Sequence, residues 1–317
     1  MGDLMLDVSV IIVNYNTKEL TYNCLKSVFE MTKNIRFEVI VSDNGSTDGS
    51  IEMIKKDFPS VIIIENNSNL GFGSANNRGL DVAKGKYIFY LNSDTILLNN
   101  AIKMFYDYWE AASDKDCIGA LGGILLNEYG NTIHSGGKLP SYDDILRYQK
   151  AIYFVHRRNS LLKKLHMNWF YQLCSNFRAK NDIENVQEGE IGYITGADLF
   201  LLNNENARFD ENYFLYYEET DLEFKLFEKK LKRLLINGPK IVHLTRKNNK
   251  DFNITSFSTI HCQISSIIYT SKNLKKDTSE LMEVIKSDWE LPYVNEIIEK
   301  IGKEKLIDLL DKANKVR

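Results

Sequence analysis

The 317-residue chain reads as an α/β protein built on a Rossmann-like, mostly parallel central sheet flanked by helices. Two observations predict this. Before residue 95, four apolar and β-branched runs alternate with segments whose apolar residues recur at helical spacing, the pattern of right-handed βαβ units. Each run then stops at a polar cluster, as strands of open α/β sheets do where their carboxyl ends face a ligand.

Val8–Val13 (VSVIIV) is the first strand, and Asn14-Tyr15-Asn16-Thr17 is its loop, with Thr17 placed to cap a helix carrying Leu20, Cys24, Leu25 and Val28. Phe37–Ser42 (FEVIVS) is the second, ending in Asp43-Asn44-Gly45-Ser46-Thr47-Asp48. A helix with Ile51, Ile54 and Phe58 on one face follows. Val61–Glu65 (VIIIE) is the third, followed by the loop 66–73 and a small-residue helix over 74–83. The fourth, Tyr87–Leu91, lies in the stretch KYIFYLNSDT (86–95) around which the chain is organised. It ends at Asn92-Ser93-Asp94, where Asp94 is the natural metal-side or phosphate-side carboxylate, although such a triplet also serves as a turn and helix cap.

Gly71-Phe72-Gly73 resembles half of a dinucleotide fingerprint. Asn76 stands where its third glycine belongs and the loop follows the third strand, so a nicotinamide dehydrogenase is disfavoured, and a loop needing φ > 0 accounts for the glycines equally well. Farther on, a helix is expected over 101–112 and a strand over 118–126. From 129 to 190 the periodicity is poor while basic and aromatic residues interleave, consistent with a flap, an acceptor-side excursion or a solvated helical insertion. Strand character returns over 191–202 around Thr195-Gly196-Ala197-Asp198. Glu218, Glu219 and Asp221 then open an amphipathic helix expected to turn Leu222, Leu226 and Phe227 inward. Short strands are expected at 234–237 and 241–243, and the remainder reads as mostly helical, with Ile297, Ile298, Ile301, Leu306 and Leu310 along one side.

Forty basic and 43 acidic residues leave a net charge of −3, which gives no electrostatic case for nucleic acid as a partner. Cys24, Cys117, Cys174 and Cys262 are far apart without C-x-x-C spacing, so neither a disulfide framework nor a zinc site is indicated and a reducing cytoplasm suits them. Asp3 and Asp7 interrupt any secretory-type leader. No stretch approaches the roughly 20 apolar residues that span a bilayer. Arg157, Arg158, Lys163 and Lys164 with Trp169 and Phe170 could meet an anionic surface, which makes peripheral contact with the inner face of the cell membrane an expectation.

The ordered series VSVIIVNYN, SDNGSTDGS, NLGFGSANNRG, YLNSDT, TGAD, YYEETDL and IVHLTRKN resembles the inverting glycosyltransferases of family 2, especially rhamnosyltransferase-like bacterial enzymes of surface polysaccharide synthesis. The resemblance covers roughly residues 8–245. It implies a GT-A domain over 1–245, with 129–190 as a flap or insertion, and a helical C-terminal extension over 246–317. It also implies transfer of a sugar from a UDP- or dTDP-sugar to a hydroxyl of a glycan or lipid-linked glycan. A divalent cation, Mg²⁺ or Mn²⁺, would be held by Asp94 and His243. Asn92 stands where the family's fuller pattern has a second aspartate, so the donor's phosphates would supply much of the coordination. By the same resemblance Asn14, Tyr15, Asp43, Asn69, Asn76, Asn92, Asp94 and Asp198 bind the donor, Asp43 through the base or ribose and Asp198 through sugar hydroxyls. Glu219 matches the catalytic base, with Glu218 its substitute and Asp221 an orienting or capping group. The Asn92 and Glu219 departures leave a non-catalytic nucleotide-sugar-binding scaffold as the alternative.

Overall fold

The computed structural model describes residues 6–164, 187–244 and 257–316, apart from the side chains at 163 and 293. Trp169, Phe170, Cys174 and the end of the IVHLTRKN motif, singled out above, lie outside the described residues. The described residues form two compact units, drawn from Met1–Leu139, Ile183–Glu211 and Glu218–Thr245, and from Pro140–Asp182, Asn212–Tyr217 and Arg246–Arg317.

The first unit opens with the alternation that the sequence predicts: β1 (Leu6–Asn14), α1 (Lys18–Met31), β2 (Phe37–Asp43), α2 (Ser50–Asp57), β3 (Ile62–Glu65), α3 (Phe72–Leu80) and β4 (Gly85–Leu91). After these come β5 (Thr95–Leu97), α4 (Ala101–Ala111), β6 (Ile118–Gly123) and β7 (Gly136–Gly137). The unit continues after α5 (Tyr142–Lys164) with β8 (Gly189–Glu190), β9 (Tyr193–Ile194), β10 (Asp198–Leu202), α6 (Glu218–Glu228), β11 (Lys232–Ile236) and β12 (Ile241–His243). Among the described residues the large sheet has the order β3-β2-β1-β4-β10-β6-β11-β8. β1 pairs in parallel with β2 and β4, whereas β10 runs antiparallel between β4 and β6.

The two-residue period of the strands divides the core between two faces. Val8, Val10, Ile12, Tyr87, Phe89 and Phe200 pack with Leu25 and Val28 of α1 and Phe105 and Trp109 of α4. Ile11, Ile40, Ile88, Tyr90, Leu199 and Leu201 pack with Leu222 and Leu226 of α6. Strands buried on both faces explain why β1 and β4 read as continuous apolar runs. Gly79 lets α3 approach the sheet closely, since a Cβ there would stand 2.5 Å from Ile11 Cγ2.

Two sequence expectations change. The run 191–202 is not one strand: β9 pairs with β7 in a separate ribbon, β10 joins the large sheet, and Thr195–Ala197 turns between them. Phe227 is 54% exposed instead of turned inward, with the Arg233 guanidinium 5.4 Å from its ring centroid, so the ring gains a cation instead of the core. Within 129–190, for which a helical insertion is one of the open readings, the 23-residue α5 occupies part of a region whose apolar periodicity is poor. Its buried positions, Ile145, Gln149, Ile152, His156 and Asn159, do follow helical spacing, but three of the five are polar.

Those polar side chains are used within the second unit, which combines α5 with α7 (Phe257–Lys272), α8 (Ser279–Trp289), α9 (Pro292–Ile301) and α10 (Lys303–Ala313). Gly302, with φ of 108°, separates the last two helices and interrupts the apolar stripe expected over 293–310. Asp288 is completely buried and accepts from Gln263 Nε2 at 2.9 Å, while its Oδ1 lies 2.8 Å from His156 Nδ1. Gln263 Oε1 in turn accepts the Trp289 indole N–H at 2.7 Å. Removing the carboxylate strands buried partners, so Asp288→Ala is expected to cost about 2–4 kcal/mol in urea unfolding. A loss under about 0.5 kcal/mol, the range of an ordinary surface substitution, would contradict this reading.

Candidate active site

The carboxyl ends of β1, β2 and β4 lie side by side, because register aligns Asn14 with Asp43 and Ile11 with Tyr90. Asn14 is buried and directs its amide into this edge: Nδ2 donates to Asp43 Oδ1 at 2.6 Å and to Ser46 Oγ at 2.9 Å. Asp43 Oδ2 accepts from the N–H groups of Gly45 and Ser46 at 3.0 and 2.8 Å. Asp43 has no exposed surface, and these bonds use both of its oxygens to shape the loop. Thr17 occupies the first cap position of α1 but makes no capping bond. Its hydroxyl donates to Asn14 Oδ1 at 2.8 Å and lies 3.2 Å from Ser93 Oγ, which ties the β1 loop to Asn92–Asp94. Tyr15, in the same loop, is 46% exposed.

The Asn69 and Asn76 side chains serve local backbone. Asn69 Oδ1 accepts from Gly71 N–H at 3.0 Å, and Asn76, buried, donates to Phe72 O at 3.1 Å. Gly71 has φ of 87°, the left-handed geometry that the glycine loop predicts.

Asp94 is partly exposed, with Oδ1 3.2 Å from His243 Nε2. The pairing of β12 with β5 creates this contact by aligning His243 with Thr95, and Leu244 N–H donates to Asp94 O at 2.8 Å. A carboxylate and an imidazole suit a borderline or hard divalent cation such as Mn²⁺. Among the described residues no cluster of three or more His, Cys, Asp or Glu could hold a metal. The donor set therefore fits a cation that takes its remaining ligands from phosphate and water, not a closed protein cage.

The turn Thr195–Ala197 adjoins that loop. Asn92 N–H donates to Ala197 O at 3.0 Å, a bond set by the antiparallel alignment of Asp198 with Leu91. On the turn's other side lies the start of α6: a Cβ at Gly196 would meet Phe72 at 3.3 Å and Glu219 Cβ at 3.9 Å. Glu219 is half-buried, and desolvation raises its carboxyl above the ordinary range. Glu218 is buried and faces α3, since a Cβ at Gly73 would lie 3.5 Å from Glu218 Cβ. Asp221, buried, pairs with Lys225 at 2.7 Å. Tyr216 and Tyr217, which precede the helix in the chain, have φ of 66° and 67°, a conformation uncommon for bulky residues.

Asp198 has no exposed surface. Its Oδ2 accepts from Gly123 N–H at 2.6 Å, and its Oδ1 has no partner among the described residues. The structure thus gathers Asn92, Asp94, His243, Thr195 and Glu219 along one sheet edge, with Asn14 and Asp43 joined to it through Thr17. Asp198 lies within the sheet.

Residues 9–173, more than half of the chain, match the description glycosyl transferase family 2. The chain belongs to this family. Its relatives include the poly(ribitol-phosphate) beta-glucosyltransferase of Bacillus spizizenii, 31% identical over 38% of this chain and 20% of the relative. A second is the Escherichia coli enzyme named UDP-Glc:alpha-D-GlcNAc-diphosphoundecaprenol beta-1,3-glucosyltransferase WfaP, 37% identical over 35% of this chain and 48% of the relative. The matches thus span half or less of these relatives' lengths. GalNAc-T7 with UDP, GalNAc and Mn²⁺ superposes with a TM-score of 0.54, at 15% identity over 96% of this chain and 58% of that one. The Pyrobaculum calidifontis mannosyltransferase PcManGT with GDP-Man and Mn²⁺ gives 0.53, at 12% identity over 98% and 76%. The family 2 chain therefore has the GT-A fold that its motifs imply.

Two buried residues that the sequence reading does not single out hold backbone near these elements. Asn77 clamps the chain at Phe209, accepting from its N–H at 3.0 Å and donating to its C=O at 2.9 Å. Glu223, fully buried, accepts from Ile194 N–H with both oxygens, at 2.8 and 2.9 Å. Its signal was present as an acid one turn after Glu219 on the same helix.

Burial raises the Asp198 carboxyl well above its reference value of 3.8, with the Gly123 bond opposing the shift. A folded-state pKa above the unfolded one contributes stability that is fully present below the unfolded value and is lost as pH rises through the folded one. Asp198→Asn keeps an acceptor and cannot ionise. It is expected to match the parent at about pH 4 and to gain about 1 kcal/mol or more at about pH 8 in denaturant titrations. Equal stabilities at both pH values would contradict the assignment.

Proposed function

We propose that this chain is an inverting glycosyltransferase that moves a sugar from a UDP- or dTDP-sugar to a hydroxyl of a glycan or lipid-linked glycan in surface polysaccharide synthesis. The observation that carries the reading is the Thr195–Ala197 turn, bonded to the Asn92–Asp94 loop on one side and packed beside Glu219 on the other. An inverting displacement needs a leaving-group site and a base on opposite sides of the reacting carbon. The names of the relatives support a polymeric or lipid-linked acceptor, and the Mn²⁺ and nucleotide diphosphates of the superposed enzymes support the donor class.

In this reading the Asn14 and Asp43 loop receives the nucleoside, with Tyr15 exposed beside it and the Asn69 and Asn76 segment completing the wall. Asp94 and His243 would hold a divalent cation, which would supply positive charge beside the diphosphate leaving group. The Thr195–Ala197 turn lines the donor sugar, and Asp198 stiffens the turn from within the sheet. Glu219 takes the proton of the acceptor hydroxyl as the acceptor oxygen bonds to the anomeric carbon. The electron pair of the breaking C–O bond leaves with the nucleoside diphosphate. Desolvation suits Glu219 to this task by strengthening it as a base, and Glu218 braces the helix start against α3.

We place the enzyme at the cytoplasmic face of the membrane. Phe154, Leu161, Arg157 and Arg158 are exposed on α5, and among the described residues no helix is long and apolar enough to cross a bilayer.

Glu219→Gln is expected to lower kcat by about 10²–10⁴-fold while nucleotide affinity, measured by calorimetry, stays near that of the parent. The parent's rate is expected to fall with decreasing pH above the ordinary carboxylate range, because the base must be unprotonated and its pKa is raised. Unchanged turnover in the variant would remove Glu219 from the mechanism. Donor binding without sugar release across a broad acceptor panel would favour the non-catalytic scaffold. Asp94→Ala is expected to abolish the Mn²⁺-dependent part of donor binding, and indifference of the parent to EDTA would contradict a catalytic cation.

A further inference from the structure

Glu223 has no place in the proposed chemistry, yet it is the buried acid most fully committed to one backbone group. Both carboxylate oxygens converge on Ile194 N–H, the last amide before the Thr195–Ala197 turn. An unpaired buried amide is costly, and Ile194 lies at the end of β9, a strand of only two residues paired with β7. The turn's exit is held differently, by Ala197 O accepting from Asn92 N–H and by Asp198 accepting from Gly123 N–H. Thr195 N–H donates to Ser135 O at 3.1 Å. Among the described residues, Glu223 is thus the side chain that ties the turn's entry to the helix carrying Glu219. Glu219 and Glu223 are one helical turn apart, so the carboxylate that grips the turn and the carboxylate beside it share a rigid element.

We propose that Glu223 is a positioning residue for sugar transfer: by accepting from Ile194 N–H it fixes the Thr195–Ala197 turn, and with it the donor sugar, at working distance from Glu219. The inference rests on the transferase reading given above. Glu223 performs this task as a hydrogen-bond acceptor and takes no proton from substrate. The charged and titratable groups around it are Glu219 on its own helix, Asp198 on β10 and Arg233 on β11. Glutamine at 223 retains an acceptor of the same reach, methionine fills similar space without one, and alanine supplies neither.

The test compares the parent with E223Q, E223A and E223M. The probe is the sugar nucleotide giving the largest thermal shift in a panel of UDP-, dTDP- and GDP-sugars with Mn²⁺, together with its nucleoside diphosphate. Release of that diphosphate is followed with and without acceptor. E223A and E223M are expected to lose kcat by on the order of 10²-fold, the effect of a reacting group misplaced by about 1 Å. Donor KM and diphosphate affinity should stay within about threefold of the parent. E223Q is expected to keep kcat within about threefold, and Ile194 amide exchange should accelerate in E223A and E223M but not in E223Q.

Parent-like kcat in E223A or E223M overturns the proposal, as does E223Q impaired as deeply as E223A, since an acceptor would then not be what is needed. If E223A and E223M fail to fold while E223Q folds and works, the residue is an element of the fold, and the positioning role is also overturned. An active parent separates these failures from that of the transferase reading. A parent that releases diphosphate from no donor ends both.

Discussion

The hydrogen bond from Asn92 N–H to Ala197 O joins the two halves of this site. Parallel strands bring their carboxyl ends to one sheet edge, which collects the loops after β1, β2 and β4. The displacement proposed above also requires a group approaching from across the reacting atom. β10, antiparallel beside β4, brings its preceding turn to the Asn92–Asp94 loop, because the start of β10 meets the end of β4. The helix bearing Glu219 then packs against that turn, and the tightest neighbour of a Cβ at Gly196 would be Phe72.

The energetic cost of the arrangement is visible in its acids. Asp198, Glu219 and Glu223 are all pushed upward by desolvation, so the first unit gives up some stability near neutral pH to keep carboxyl groups close to one another behind the turn. Asp43 is buried among donors: one side-chain amide, from Asn14, and two backbone N–H groups, from Gly45 and Ser46, bond its two oxygens and shape the loop after β2. The second unit uses a third device, a buried network of His156, Asp288, Gln263 and Trp289, to join helices whose facing stripe is only partly apolar.

What was legible in the sequence follows from this physics. β1, β2 and β4 are buried on both faces, so composition alone revealed them, and the polar clusters that end them lie along one sheet edge. Asp94 and His243 were named from the motif order and meet across a strand pair. Over 129–190 a helical insertion is one of three open readings, and the inward stripe of α5 was not legible because Gln149, His156 and Asn159 occupy it, which hydropathy records as solvent-facing. The break at Thr195–Ala197 escaped because a strand interrupted by one polar turn keeps its overall β character. Glu223 escaped for a related reason: an acid on an amphipathic helix reads as exposed unless the backbone amide it serves is known. Phe227 failed in the other direction, an aromatic at helical spacing that covers an arginine instead of the core.

The central claim is that the loop of Asn92 and Asp94, the Thr195–Ala197 turn and the first turn of the Glu219 helix surround a single bound nucleotide. Paramagnetic relaxation by Mn²⁺ bound with UDP or dTDP, read on backbone amide resonances of the isotope-labelled protein, measures this directly. The account predicts that Asp94, Gly196 and Glu219 broaden together at the same Mn²⁺ concentration, while Phe37 at the far end of β2 stays sharp. Broadening at Asp94 with Gly196 and Glu219 unaffected would contradict it.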